Sequence, residues 1–219
     1  MIRCIAPSAA LAVLLVACGG AQDTGSSTTT TEEQPVAAQS SLRVVHGASA
    51  GAASVWLGDE ALAEGVSQGD ATEHMDVLAG SHWFRVTSPS GNDELLRERL
   101  TFPADTTHTV FVLGTPPNLT AVVAADDLPD PIAGSAFARF VHGVPGAGSV
   151  NLSADGRAYA SGLGFGDVSS WYQIPAGGAR FQASGAADAE LGVNAADGGV
   201  YTMIIVDGGD GLDLLVITE

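Results

Sequence analysis

The chain contains no lysine. Its 8 basic residues are all arginine against 25 acidic ones, and the formal net charge is −17. Such a body repels phosphate backbones and anionic headgroups, which argues against nucleic-acid partners and electrostatic docking on a membrane. Cysteine is nearly absent: only Cys4 and Cys18, both near the start. Aromatics make up 6%. No segment sustains a helical period, though Glu94 to Arg99 would suit one helical turn. Enzyme signatures are missing as well. There is no Gly-x-Ser-x-Gly elbow, His-Glu-x-x-His, Cys-x-x-Cys or phosphate-cradling glycine loop, so neither cofactor nor catalytic residue is expected. What is present is a 46% hydrophobic chain with 28 glycines. That composition is far from a disordered one and is rich in turn formers.

The first residues have the layout of a secretory signal, with Arg3 as the positive end and an apolar run from Ala9 to Val16. The apolar stretch is too short to cross a bilayer, which needs about 20 residues. It closes on Leu15-Val16-Ala17-Cys18, which resembles the lipobox of bacterial lipoproteins. The resemblance implies cleavage after Ala17 and a lipidated Cys18 as the first mature residue. Two or three acyl chains hold a domain stably where one would not. The membrane then becomes a partner through the lipid alone. Gly19, rather than an acid, follows the cysteine, and by the same resemblance this favours the outer membrane, on its periplasmic face or at the cell surface. With residues 1–17 removed and the Cys18 sulfur committed, no intrachain disulfide can form, and stability must come from packing.

Residues 18–40 carry the anchor and a Gly-, Ser- and Thr-rich stretch without apolar periodicity, expected to be a disordered, flexible tether. By random-coil scaling it would hold the body about 25 Å from the membrane on average.

The rest of the chain repeats itself once. Arg43-Val44-Val45-His46-Gly47 matches Arg139-Phe140-Val141-His142-Gly143. Val55-Trp56-Leu57 matches Val150-Asn151-Leu152, Met75 to Gly80 matches Tyr172 to Gly177, and Thr109 to Val112 matches Thr202 to Ile205. The spacing between the copies drifts by only a few residues, as expected of one duplicated module. Two repeats are therefore expected, at 41–127 and 135–219. The acidic, proline-bearing stretch beginning at Asp126 reads as the connector, with 128–134 as the linker proper. Within each copy, short β-branched or aromatic runs alternate with Gly, Pro, Asp and Asn. About seven or eight such strands in some 90 residues suit an all-β fold of two tandem immunoglobulin-like or transthyretin-like antiparallel sandwiches.

The paired motifs are similar to those of domain-of-unknown-function family 4397, found in secreted and lipid-anchored bacterial proteins. They are the opening Arg43-to-His46 strand, the Gly65-to-Asp70 and Gly162-to-Asp167 turns, and the hairpins Leu78-Ala79-Gly80 and Pro175-Ala176-Gly177. The first copy departs in having Leu78 where the pattern has proline. The family brings no catalytic residues to carry over.

Three constellations stand out. His46 and His142 end the opening strand of each copy with no second ligand at metal spacing, and read as turn histidines bonded to backbone. Asp207 to Asp213 fits one turn of a calcium-binding nonapeptide, but a β-roll needs several, so a hairpin loop is the simpler reading. No metal site is expected. Trp56, Trp83 and Trp171 sit where the other copy has Asn151, Arg180 and His74. Because faces alternate along a strand, all three fall on the outward parity. They become candidate contacts for a glycan or protein partner, unless they pack between the modules or under a loop.

The expectation is a non-catalytic, lipid-anchored, extracytoplasmic protein serving binding or scaffolding in the bacterial envelope. Its rivals are an accessory or hydrolytic enzyme acting on envelope polysaccharide or peptide, and a purely structural component.

Overall fold

The computed structural model describes residues 37–185 and 188–219; Cys18, the signal and most of the tether lie outside them. The described residues form sixteen strands and no helix. The first copy contributes β1 (Gln39–His46), β2 (Ala53–Leu57), β3 (Glu60–Val66), β4 (Met75–Leu78), β5 (Gly80–Thr87), β6 (Glu94–Phe102), β7 (Thr107–Thr115) and β8 (Asn118–Ala125). The second contributes β9 (Ser135–His142), β10 (Val150–Ala154), β11 (Arg157–Leu163), β12 (Tyr172–Pro175), β13 (Gly177–Ser184), β14 (Ala189–Ala195), β15 (Val200–Asp207) and β16 (Leu212–Thr218). The helical turn expected at Glu94 to Arg99 is instead the start of β6. Leu96, Leu100 and Phe102 are buried while Arg97, Arg99 and Thr101 are exposed, and this alternation suits a half-buried strand paired with β5.

Each module is a sandwich of two four-stranded sheets. The outer sheets run β3-β2-β5-β6 and β11-β10-β13-β14; the inner sheets run β4-β1-β7-β8 and β12-β9-β15-β16. Pairing is antiparallel except in the middle of each inner sheet, where β1 lies parallel to β7 and β9 to β15. Those partners are separated by the whole outer sheet, which supplies the crossover that a parallel pair requires.

The two inner sheets are covered on both faces, and their sequences say so. β9 is buried at every position, and β7 at all but its first and last. Such strands read as continuous apolar runs, whereas the outer strand β13 alternates. Along β1, Leu42 and Val44 enter the core of their own module, while Arg43 and Val45 face the other module. β9 repeats this, with Ala138 and Phe140 in the home core and Arg139 and Val141 across the seam. A third hydrophobic core results between the modules, from Val45, Phe111 and Leu113 of the first and Val141, Ile204, Val206 and Ile217 of the second.

Just past the ends of β1 and β9, the two glycines of the repeated His-Gly pair both lie against Leu113 and Ile204 of the seam core. A Cβ on Gly47 would lie 3.1 Å from Leu113 and 3.2 Å from Ile204; one on Gly143 would lie 2.7 Å from the Ile205 carbonyl. The Gly114 amide donates to the Gly143 carbonyl at 3.0 Å across the junction.

A polar network flanks this core. Arg43 Nε donates to Thr109 Oγ1 at 3.0 Å, and its guanidinium pairs with Glu219 of the other module. Arg139 Nε donates to Thr202 Oγ1 at 2.8 Å, and its guanidinium pairs with Asp126 at 2.7 Å. Thr109 donates to Asp126, and Thr202 to Glu219. Each arginine thus binds the threonine of its own copy and the acid of the other, and Arg139 also reaches Thr109 at 3.2 Å and Glu219 at 3.4 Å. Asp126, which as part of an acidic connector would be expected to face solvent, has only 4% of its side chain exposed. Charges taken out of water this far require partners, so relative movement of the modules would strand them.

Candidate functional site

The structure gathers two of the three candidate tryptophans on one open surface, the solvent face of the first module's outer sheet. Parity puts them there. Val55 and Leu57 are buried, so Trp56 between them points out; Phe84 and Val86 are buried, which turns Trp83 and Arg85 outward. On β6 the buried Leu96 and Leu100 leave Arg97 and Arg99 outside. Register then assembles them. Trp56 lies opposite Arg85, Arg85 opposite Arg97, and Trp83 opposite Arg99. With strands about 4.8 Å apart, these five side chains form one continuous patch.

The patch is an alternation of aromatic and cationic groups. The Arg85 guanidinium carbon is 5.5 Å from the Trp56 ring centroid, and that of Arg97 is 4.9 Å from the Trp83 centroid. Both distances are within cation–π range. Trp56 Nε1 donates to Thr87 Oγ1 at 3.2 Å, which fixes the ring, and Arg85 donates to the Gly58 carbonyl at 3.3 Å. Trp83 remains 47% exposed. Among the described residues the one carboxylate in ion-pair range of the patch is Glu94, 4.0 Å from Arg97 with both side chains about half in solvent, and such a contact is weak.

Charge here runs against the rest of the molecule. The first module has four arginines; Arg43 is buried in the seam, and the other three occupy this face. Arg85 and Arg97 stand directly opposite each other, an arrangement that is destabilising for like charges.

The matching face of the second module has lost every element of the patch. Ser153, rather than the Asn151 expected from the sequence repeat, takes the place of Trp56, because Trp56 pairs with Arg85 and Ser153 with Gln182. Arg180 replaces Trp83, Gln182 replaces Arg85, Glu190 replaces Arg97 and Gly192 replaces Arg99, as the strand registers align them. Arg180 is neutralised by Glu190 at 2.8 Å, and Gln182 also donates to Glu190.

Trp171 lies elsewhere, in the loop before β12. Its ring centroid is 4.5 Å from the Arg139 guanidinium carbon, in a groove of about 520 Å³ bordered by Val122, Ala124, Asp127 and Val168. It covers the seam network. In the first copy His74 holds that place, with Nε2 3.5 Å from Asp126.

His46 and His142 are both fully buried. Their Nδ1 atoms accept from the amides of Ala48 and Val144, each at 3.2 Å. His142 Nε2 donates to the Gly148 carbonyl at 2.9 Å, whereas His46 Nε2 has no partner among the described residues. Burial holds the His46 imidazole below its ordinary pKa. Asp207 ends β15 and Asp213 lies in β16, flanking the hairpin loop 208–211. There Asp207 Oδ1 accepts from the Gly209 amide and Asp213 Oδ1 from the Leu214 amide. Among the described residues no three His, Cys, Asp or Glu side chains are grouped as metal ligands.

The three arginines of the patch escaped the sequence reading. A signal for them existed, since Trp83-x-Arg85 and Arg97-x-Arg99 each have period 2. Their adjacency depends on the β5–β6 register, which pairwise repeats do not reveal.

The framework positions that build both modules are also what relates the chain to other proteins. The family described as Domain of unknown function (DUF4397) matches residues 40–152 and again 136–219. The chain belongs to this family. Its two matches share the β9–β10 region, where the second copy begins. No curated protein matches this DUF4397 chain. Among solved structures it is similar to a family CBM26 module from Eubacterium rectale Amy13K in complex with maltoheptaose. That match has 10% identity and a TM-score of 0.28, covering 82% of this chain and 97% of the other. A structure of alpha-glucan binding by a streptococcal virulence factor gives 12% identity, a TM-score of 0.26, and coverage of 75% and 93%. Family 41 carbohydrate-binding modules from streptococcal virulence factors, solved for alpha-glucan recognition, give 9% identity, 0.25, and coverage of 80% and 96%. At such scores neither fold nor ligand passes from those proteins to this DUF4397 chain.

Proposed function

We propose that this chain is a non-catalytic glycan-binding protein of the bacterial envelope, lipid-anchored through Cys18, that uses the outer face of its first module as the binding surface. The observation that carries the reading is the placement of Trp56 and Trp83 on the solvent face of one sheet, with ring positions fixed by Thr87 and by arginine stacking. A rigid aromatic face contributes contact area at little conformational cost, and its apolar surface suits the CH faces of sugar rings. An extended sheet favours a polymer over a small molecule, which a closed pocket would serve better. The lipobox, and the long polar stretch after it, support display at a membrane, on the outer membrane where Gly19 follows the cysteine. The membrane is then a partner through the acyl chains only, because the acidic body is repelled by anionic headgroups.

The test is capture of envelope polysaccharide by the full-length protein in detergent. The wild type should retain glycan, and Trp56→Ala with Trp83→Ala should lose it while Trp171→Phe does not. Equal retention by the double variant would contradict the reading. Progressive shortening of the captured polymer would favour a hydrolytic enzyme instead. Anchoring has its own measurement: mass spectrometry of the protein from its native host should find acyl chains on Cys18, and an intact Met1 terminus would contradict it.

A further inference from the structure

Building on that glycan-binding reading, we infer that the ligand is an acidic polysaccharide, one bearing carboxylates along its chain, and that Arg85, Arg97 and Arg99 recognise those carboxylates. The chain is strongly acidic, yet every exposed cation of its first module lies on this one face. Cross-strand pairing places Arg85 directly against Arg97, with Arg99 two residues along the same strand. Among the described residues this repulsion meets no buried counter-ion, the only carboxylate in ion-pair range being the half-exposed Glu94. Among the described residues Arg99 forms no ion pair at all. A set of like charges held together and left unneutralised is complementary to a ligand of opposite sign.

Geometry narrows the class further. The backbone positions that carry these arginines recur at about 5 Å across the strands and about 7 Å along them, which fits closely spaced charges on a polymer better than one isolated anion. Arginine is suited to the task, because it stacks on an aromatic face while its N–H edge stays free for a carboxylate. The Trp56–Arg85 and Trp83–Arg97 stacks have that form. Tryptophan surface between and beside the guanidinia then meets the sugar rings. The second module, with Arg180 neutralised by Glu190 and neither tryptophan, is left out of recognition.

The probe pair is polygalacturonate and its fully methyl-esterified form, which share a sugar backbone and differ in carboxylate charge. Binding to the full-length protein in detergent is followed by calorimetry and tryptophan fluorescence. The acidic polymer should bind, the ester at least about tenfold more weakly, and raising salt from about 0.05 M to about 0.5 M should weaken the acidic complex as screening shortens. Arg85→Gln, Arg97→Gln and Arg99→Gln together should abolish the preference. Arg99→Gln alone, which removes no assigned contact, should reduce it, and Arg157→Gln with Arg180→Gln should leave it intact. Equal affinity for both polymers, indifference to salt, or an unaffected triple variant would overturn the inference. If Trp56→Ala with Trp83→Ala still lost binding in those cases, the glycan reading itself would stand. Failure to bind either polymer while envelope glycan is still captured would likewise remove only the acidic ligand class. Failure to capture any glycan would remove both.

Discussion

The two modules agree where they touch each other and disagree where they face solvent. Across the seam Arg43 answers Arg139, Thr109 answers Thr202 and Asp126 answers Glu219, each arginine reaching the acid of the other copy. On the outer sheets the same scaffold positions hold Trp56 and Ser153, Trp83 and Arg180, Arg97 and Glu190. The difference separates two roles within one architecture. A residue needed in both copies is one that joins them, because the interface is self-complementary and each module must supply both halves. A residue found in only one copy is free of that duty and can serve a partner outside.

The seam offers the largest effects. Replacing Arg139 by leucine leaves Asp126 buried without its cation, and loss of one buried partner costs about 3–5 kcal/mol. Arg43→Leu should cost less, because Glu219 keeps Arg139 at 3.4 Å as a second cation, and because Arg139 also stacks on Trp171 and Phe111. Urea unfolding of both variants measures this; a surface-like loss for either would break the equivalence of the two halves.

The paired glycines are next. Gly143→Ala pushes a methyl to within 2.7 Å of a backbone oxygen, whereas Gly47→Ala meets side-chain carbons that can shift. The first should cost about 1–3 kcal/mol by overpacking and the second less. Thermal unfolding of the two variants, run side by side, decides it, and a reversed order would count against the packing described.

Histidine gives a pH-dependent contrast. His46 is held below its ordinary value of 6.5 by burial, so the folded state binds fewer protons than the unfolded state as pH falls. Its share of stability is therefore complete above about pH 6.5 and is lost as the pH drops through and below that value. Stability measured from pH 7.5 to 5 should decline, and His46→Asn should flatten the decline. An unchanged slope would show that the acid sensitivity resides elsewhere.

The smallest expected change in stability is on the outer face. Arg97→Gln relieves repulsion with Arg85 at the expense of a stack on Trp83, so its net effect should stay within about 0.5 kcal/mol. Ligand affinity should nonetheless drop. A large loss of stability would mean that the patch is structural.

Much of this architecture could be read in the linear sequence, because side-chain parity and the repeat are local properties. Val55-Trp56-Leu57 with Phe84-x-Val86 implied a sheet with apolar residues inside and tryptophan outside, and that is how β2 and β5 are built. The continuous runs Val110-Phe111-Val112-Leu113 and Tyr201-Thr202-Met203-Ile204-Ile205 marked strands but concealed why no position alternates. The reason is a second module against their backs, and a strand cannot state which surface will cover it. Asp126 shows the same limit. In a run of Asp, Leu and Pro it looks like a solvated connector, and only the opposing Arg139 makes it a buried partner. Trp171 shares the outward parity of the other two tryptophans, yet the seam claims it. The arginine patch needed the β5–β6 register, set by a hairpin and a bulge near Thr87, before three separated residues became neighbours.

A hydrogen-exchange footprint of the full-length protein with and without its captured glycan tests the outer-face assignment most directly. Protection should appear at β2, β5 and β6 and leave β10, β13 and β14 unchanged. Protection confined to the groove beside Trp171, or shared equally by the outer sheets of both modules, would contradict it.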